Sequence, residues 1–408
     1  MQRIVRLPLY GDIEHSSPDF DLAWDLFQTE ALTRLRDISL SSTPSRFAAH
    51  GMAASRFEHS VGVAYLARCL CSRKGHIRDE KAVLMTAALC HDIGSPPFSH
   101  ISEIFFHDLT GRTHEEETEE MLAEGGELFQ LLSSYRIDPA RVISIIQGKD
   151  AQLGPLIAGS IDLDNIDNSI HLMHSIGYRS DRYKPVELIN AYRWNQGQLY
   201  LDTAYLADIV GWADTRKELY SILHSEVHLS SAAMLYRALE FAYAKNELDA
   251  DFFRLGESDA LFFLAERCNR QTRELMQRTL RWKQYHLFHQ RLLSVSDPRL
   301  TATYNNWQAK KDFSDNLAKL LGIDPVDIAV YIGADRGEKK ISLPFVGEHA
   351  EAVASLFSNR AGAQRVSIFM PKKFYRLKDS KKLTQAIDAC IEQLPEPAAE
   401  SDSGHTFF

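Results

Sequence analysis

Three clusters of histidine and aspartate carry the chemistry this chain could perform. The first is Arg56-Phe57-Glu58-His59, the second is His91-Asp92, and the third is Asp162-Leu163-Asp164-Asn165-Ile166-Asp167. Two neutral imidazoles and two carboxylates form a mixed nitrogen and oxygen donor set. Such a set suits a divalent ion of the Mn, Fe, Ni or Zn kind and, with added water and phosphate oxygens, Mg. His91-Asp92 closes a strongly apolar run just before Gly94. A carboxylate buried there without a partner is costly, so it calls for a cation or a dense set of hydrogen bonds. Any one histidine among the 16 is more ordinarily a core or surface residue. The metal-centre reading therefore rests on the combination of His, His-Asp and Asp-x-Asp, not on any one of them.

The elements that must position these clusters read as helices. Leu32, Leu35 and Ile38 share a helical face in 31–38, and 61–70 and 82–90 are apolar nearly all round, as buried helices are. The stretches 121–132, 162–175, 216–243 and 259–285 continue the pattern, and Pro96-Pro97 interrupts it. Within the third cluster Asp162 and Asp164 point roughly opposite ways, so both cannot face one ion. Asp164, Asn168 and His171 share a face by their spacing. Periodicity alone does not choose between the two aspartates.

The character changes near Pro325. Short β-branched and aromatic runs at 327–332 and 365–370 read as strands, and 380–394 as a helix. The organisation read from this is a helical core over 1–245, a helical extension over 246–300, a small α+β module over 301–394 and a polar tail over 395–408. The fold class is mainly α.

Other classes drop out on composition. No apolar run is long enough to span a membrane, and the first residues lack the core of a signal peptide. The five cysteines lack zinc-finger spacing and read as reduced structural thiols of a cytoplasmic protein. The net charge of -9 argues against a general nucleic-acid coat, and means that an anionic substrate needs a local cation. Neither a P-loop nor a Gly-x-Ser-x-Gly elbow is present.

The motifs resemble those of the HD-domain phosphohydrolases. The likeness extends from Ser55-Arg56-Phe57-Glu58-His59-Ser60-Val61-Gly62-Val63 through Cys90-His91-Asp92-Ile93-Gly94, Pro97-Phe98-Ser99-His100 and Thr113-His114-Glu115 to Ile161-Asp162-Leu163-Asp164-Asn165-Ile166-Asp167. With Leu35-Arg36 and the stretch 223–240 it is similar to the deoxynucleoside triphosphate triphosphohydrolase branch over about residues 8–245. The resemblance implies an HD-domain helical core in which His59, His91, Asp92 and Asp164 bind a divalent metal. It implies Mn, Mg or Fe before Zn or Ni, a nucleotide substrate and a homo-oligomer. Arg56 would contact substrate phosphate, for which a planar guanidinium is suited; the competing role is a structural salt bridge with Glu58. Arg216 and Lys217 are further phosphate candidates, or else an exposed charged helix face.

The chain departs from that family's pattern at three points. Active members often carry histidine at the place of Ser95, aspartate at that of Glu103 and tyrosine at that of Asn168. These changes affect proton transfer and substrate contact, so Glu103, Asn168 and His114 become the positions to watch. Thr113-x-x-Glu116 is a capping-box pattern, which places His114 in a first helical turn. The positive helix end favours a neutral His114 that orients water or donates to phosphate; otherwise Thr113 merely caps a solvated helix. Two basic stretches with interleaved aromatics, 267–283 and 372–382, could hold a nucleotide effector or single-stranded nucleic acid, or be solvated faces. Three functions follow: hydrolysis of deoxynucleoside triphosphates, hydrolysis of monophosphates, cyclic nucleotides or oligonucleotides, and catalytically weak nucleotide sensing.

Overall fold

A computed structural model describes residues 3–15, 18–47, 54–178, 182–293, 298–334, 337–358 and 364–394. The tail expected over 395–408 lies outside the described residues. The chain opens with an antiparallel hairpin of β1 (Arg3–Leu7) and β2 (Gly11–His15), then α1 (Pro18–Leu26) and the short α2 (Glu30–Arg34). The helices that carry the clusters follow: α3 (Arg56–Arg73), α4 (Lys81–Cys90), α5 (His100–Thr110), α6 (His114–Met121), α7 (Glu127–Ser134), α8 (Pro139–Ile146) and α9 (Leu163–Ser175). After α10 (Pro185–Leu188), the hairpin β3 (Tyr192–Asn195) and β4 (Gln198–Asp202) leads into two long helices, α11 (Leu206–Leu223) and α12 (Glu226–Tyr243). Helices α13 (Glu257–Glu266) and α14 (Arg270–Leu280) precede β5 (His286–Leu293). The remainder is α15 (Pro298–Tyr304), α16 (Trp307–Leu321), β6 (Ala329–Ala334), β7 (Phe345–Val346), α17 (Ala350–Leu356), β8 (Gln364–Met370) and α18 (Lys381–Glu392). The fold is mainly α.

Local chemistry explains where the decisive helices start and stop. Ser55 accepts from the Glu58 backbone N–H while the Glu58 carboxylate accepts from that of Ser55. This capping box holds the first turn of α3, where Arg56 and His59 sit. Helix α4 buries Val83, Leu84, Ala87, Ala88, Leu89 and Cys90 against α3 and α8. Each fully buried leucine there contributes about 2 kcal/mol, so His91 and Asp92 are delivered by a strongly anchored rod. A second apolar core joins α5, α12, α13 and α14, and a third joins β6, β8, α16 and α18.

Several elements differ from the sequence reading. The stretch 31–38 is helical only to Arg34 and then tightens into a 3-10 turn, Leu35–Asp37. The stretch 121–132 is broken between α6 and α7, where Gly125 adopts a left-handed φ of 93°. The stretch 216–243 breaks at His224-Ser225 into α11 and α12. Residues 286–293, read as part of a helical extension, form a strand instead. β5 and β6 both pair antiparallel with the central β8, giving the order β5-β8-β6. The short hairpins were not anticipated either, nor was β7, which pairs parallel with β4 through Leu201 and Phe345.

The C-terminal part is tied to the helical core by charge as well as by packing. Arg237 of α12 is fully buried and bonds Glu240 at 2.8 Å and Asp315 of α16. Asp315 also receives Lys311 at 2.7 Å.

Candidate metal centre

Helices α3, α4 and α9 bring three of the predicted ligands to one point. Donor atoms of His59, His91 and Asp164 all lie within 4.8 Å of one another. His59 Nε2 is 3.0 Å from Asp164 Oδ1, and His91 Nε2 is 4.0 Å from the same oxygen. Asp92 turns Oδ2 to the same place, 3.4 Å from His91 Nε2 and 3.9 Å from His59 Nε2.

Two neighbouring groups select the tautomers of the histidines. His59 Nδ1 lies 2.7 Å from Asp167 Oδ1, and His91 Nδ1 lies 2.8 Å from the Ala88 carbonyl. Both acceptors require N–H at Nδ1, which leaves lone pairs on Nε2 facing inward. His59 Nε2, His91 Nε2 and Asp92 Oδ2 are buried, and no hydrogen bond of good geometry satisfies them. Three orphaned donor atoms pointing at one place are costly in a protein interior unless a cation completes them. The residues present therefore fit a divalent ion.

Charge is concentrated here. Burial works against the charged form of Asp92, but Arg56, His91 and His59 outweigh it and hold the carboxyl well below its usual range. For His59, burial favours the neutral ring, yet contacts with Asp164 and Asp167 carry its pKa up to about 10. Burial opposes ionisation of Asp167 too, and His171 and His59 overcome it.

Asp167 is fully buried and accepts from His59, from His171 at 3.2 Å and from the Tyr10 hydroxyl at 2.6 Å. A Cβ on Gly62, one turn along α3, would come 2.2 Å from Asp167 Oδ2, so only glycine lets this carboxylate approach. Asp167→Asn is expected to leave the helices intact by circular dichroism and to weaken metal binding by about 10- to 100-fold, the usual effect of losing a group that orients a ligand. Titration of Mn into the variant, followed calorimetrically, checks this; unchanged affinity would show that Asp167 does not orient His59.

Arg56 does not pair with Glu58, whose carboxylate is engaged by the cap. Its Nη1 lies 2.5 Å from Asp92 Oδ1 and its Nε donates to Ser99 Oγ at 2.8 Å. Phe98 and Ser99 reach this place at left-handed φ values of 64° and 49°. Strained backbone of that kind persists only where surrounding contacts hold it, and it is common in functional sites.

Beside the cluster lies a second polar group. Glu103 of α5 accepts from His114 Nδ1 through one oxygen and from His100 Nδ1, at 3.0 Å, through the other. Thr113 forms the expected capping box with Glu116, placing His114 at the start of α6. The sequence leads us to expect a neutral His114. Burial favours that form, but the Glu103 carboxylate opposes it and lifts its pKa to about 9. Glu103 is correspondingly held well below the usual carboxylate range, against burial, by His114 and His100.

Gly94 joins the two groups of residues. A Cβ there would meet the His114 carbonyl at 2.2 Å and the Thr118 N–H at 2.6 Å. Backbone cannot yield as a flexible side chain does, so Gly94→Ala is expected to separate the His91-Asp92 turn from α6. The expected readout is a lower melting temperature; a variant as stable as the parent would contradict this packing. Arg34 braces the turn from behind, donating to the carbonyls of Ile93 at 2.6 Å and Ser95 at 2.8 Å.

The remaining predicted residues fall elsewhere. Asp162 caps α9 and is occupied by the N–H groups of Asn165 at 2.6 Å and Gly159 at 2.7 Å, which leaves Asp164 as the inward carboxylate. Ser95 Oγ lies 3.4 Å from Asp92 Oδ1, and Asn168 is partly exposed on α9. The Arg216 guanidinium lies over the Tyr220 ring at 4.6 Å. Lys217 is placed at the surface, two-thirds exposed and 3.3 Å from Glu338, so the structure does not set it beside the cluster. In the basic stretches, Arg278 and Lys373 both pair with Asp327, at 2.7 and 2.6 Å. Part of the charge read as available for nucleic acid is thus neutralised within the fold. Arg34 was not singled out from sequence, and His100 and Asp167, though quoted within the motifs, were given no role there.

The His-Asp pair at the end of one helix and a distant aspartate on another thus form a candidate divalent-metal site. Residues 56–155 match the family model of the HD domain. Among relatives, the uncharacterized protein YwfO of Bacillus subtilis is 29% identical over 209 residues, 49% of this chain and 47% of that protein. A deoxynucleoside triphosphate triphosphohydrolase SAMHD1 homolog of Dictyostelium discoideum is 32% identical over 183 residues, 40% of this chain and 35% of that protein. Human deoxynucleoside triphosphate triphosphohydrolase SAMHD1 is 30% identical over 168 residues, 38% and 26% of the two chains. The matches thus span less than half the length of each of these relatives. A hypothetical protein from Aquifex aeolicus has the same fold, with a TM-score of 0.71 at 19% identity over 95% of this chain and 99% of that one. No helix among the described residues is long and apolar enough to cross a membrane.

Proposed function

We propose that the protein is a metal-dependent phosphohydrolase that cleaves deoxynucleoside triphosphates to deoxynucleoside and triphosphate. The observation that carries the reading is the convergence of His59 Nε2, His91 Nε2 and Asp92 Oδ2, buried without hydrogen bonds, with Asp164 beside them. His59, His91, Asp92 and Asp164 would hold the ion. When bound there, a divalent cation offsets phosphate charge and acidifies an attacking water. The chain's own residues supply the rest. Arg56, fastened by Asp92 and Ser99, places a fixed positive charge beside the cluster, where it costs no reorganisation during reaction. His114, charged through Glu103, is suited to donate a proton to the departing oxygen. The lack of histidine at Ser95 is compatible with this because His114 and His100 flank Glu103. The similarity to deoxynucleoside triphosphate triphosphohydrolases supports the substrate class.

The test is a product analysis of purified protein with Mn or Mg, using deoxynucleoside triphosphates, ribonucleotides, monophosphates, cyclic dinucleotides and short single strands. Triphosphate released from deoxynucleotides is the expected result. Orthophosphate or shortened oligonucleotides would replace it with a different phosphohydrolase, and nucleotide binding without turnover would replace it with a sensor.

A further inference from the structure

The turn of the N-terminal hairpin lies against the metal centre on the side away from the convergent donor atoms. Pro8 follows β1 and presets the backbone of a turn that the Tyr10 N–H closes by donating to the Leu7 carbonyl at 3.2 Å. Gly11 then takes a left-handed φ of 73° to begin β2. Leu7 and Ile13 are buried in the same core as Val61 and Ala64 of α3, which docks the hairpin on that helix. The Tyr10 ring stands 5.0 Å from the Tyr65 ring of α3. A Cβ on Gly62 would meet the Tyr10 ring at 3.0 Å as well as Asp167 at 2.2 Å. One glycine therefore admits both groups to the place where they meet.

Oδ1 of Asp167 accepts from His59 and His171, and Oδ2 accepts from the Tyr10 hydroxyl at 2.6 Å. Burial and the charge of Asp167 hold the Tyr10 pKa well above its ordinary value, so the hydroxyl keeps the proton it donates. A carboxylate is planar, and a donor on each oxygen fixes its plane. Asp167 is fully buried, so bulk water does not replace a lost donor. Without the Tyr10 hydroxyl, Oδ2 turns towards another partner. That rotation carries Oδ1 away from His59 Nδ1 and frees the ring that presents Nε2 to the donor set. A line of contact thus runs from the hairpin turn through Asp167 to a predicted ligand.

We propose that Tyr10 is a positioning residue of the metal centre, so that docking of the N-terminal hairpin and binding of a divalent cation reinforce each other. The coupling is reciprocal: the factor by which the docked hairpin raises metal affinity is the factor by which the metal favours docking. This rests on the reading of His59, His91, Asp92 and Asp164 as metal ligands, not on the identity of the substrate, and it is tested without turnover.

The experiment is calorimetric titration of Mn into the full-length parent and two variants, with amide hydrogen exchange of residues 3–15 followed with and without Mn. Tyr10→Phe keeps the ring and removes only the hydroxyl. Tyr135→Phe is the control, because it removes a tyrosine–aspartate bond of the same 2.6 Å length, to Asp25 of α1. Tyr10→Phe is expected to bind Mn about tenfold or more weakly, and Tyr135→Phe to bind it as the parent does. Mn is expected to slow exchange in the hairpin of the parent and to have little effect on the hairpin of Tyr10→Phe. Unchanged Mn affinity in Tyr10→Phe overturns the proposal, as does an equal loss in Tyr135→Phe, which would trace the effect to a general loosening of the core. Should Tyr10→Phe not fold, the parent carries the test alone, since a hairpin whose exchange Mn leaves unaltered shows no coupling. These outcomes leave the metal centre standing. A parent that takes up no Mn removes the metal-centre reading, and this inference with it.

Discussion

Asp92→Ala is expected to abolish metal-dependent hydrolysis and to destabilise the protein at the same time. One oxygen of Asp92 belongs to the convergent donor set, and the other holds Arg56 at 2.5 Å. Arg56 is only 6% exposed, so removing its carboxylate leaves a buried charge without its counter-ion. Breaking one side of a buried pair costs about 3–5 kcal/mol. The two losses separate in a double variant. Arg56→Met with Asp92→Ala removes both charges, and is expected to recover much of the melting temperature while remaining inactive. Melting curves and product assays on the parent and the two variants decide the matter. Activity surviving in Asp92→Ala would place the reaction elsewhere in the molecule.

His114→Gln is expected to lower the hydrolysis rate by about 10²- to 10⁴-fold, the range typical of a lost general acid, with metal content unchanged. The pH dependence tests the role more sharply. With its pKa lifted to about 9, His114 stays protonated through neutral pH and loses its proton as pH rises past that value. The rate of the parent is therefore expected to hold to about pH 9 and then fall. Glu103→Gln removes the carboxylate that supports the charge, so the fall is expected to move to lower pH. A descending limb that stays in place in Glu103→Gln would assign it to another group.

The clusters were legible because each is short and each lies in an element with a clear helical signature. His59, His91 and Asp164 meet as their helices predict, and the capping box at Thr113 is present where its four residues indicate. The choice between Asp162 and Asp164 was not legible from spacing, because it depends on a helix start at Leu163 and on hydrogen bonds to Gly159 and Asn165. The main influence on His114 was not legible for a related reason. The helix end is visible in sequence, but the stronger influence is Glu103, eleven residues away and delivered by a different helix. Lys217 looked equivalent to Arg216, yet adjacent helical residues diverge by about 100°, and one lies over Tyr220 while the other reaches Glu338 at the surface. Strand β5 escaped notice because its partner β8 lies some seventy residues away, whereas the β1-β2 and β3-β4 hairpins pair locally but have only four or five residues in each strand.

The chain passes between its two halves more than once: β7 returns to lie on β4, and Asp315 completes a charge network begun at Arg237. Cutting before residue 300 would strand a guanidinium inside α12 and strip the outer edge of a sheet, so neither fragment is a natural unit for expression. Melting should be a single event sensed equally by tryptophans at either end, and a small molecule that tightens one half would protect the other against proteolysis.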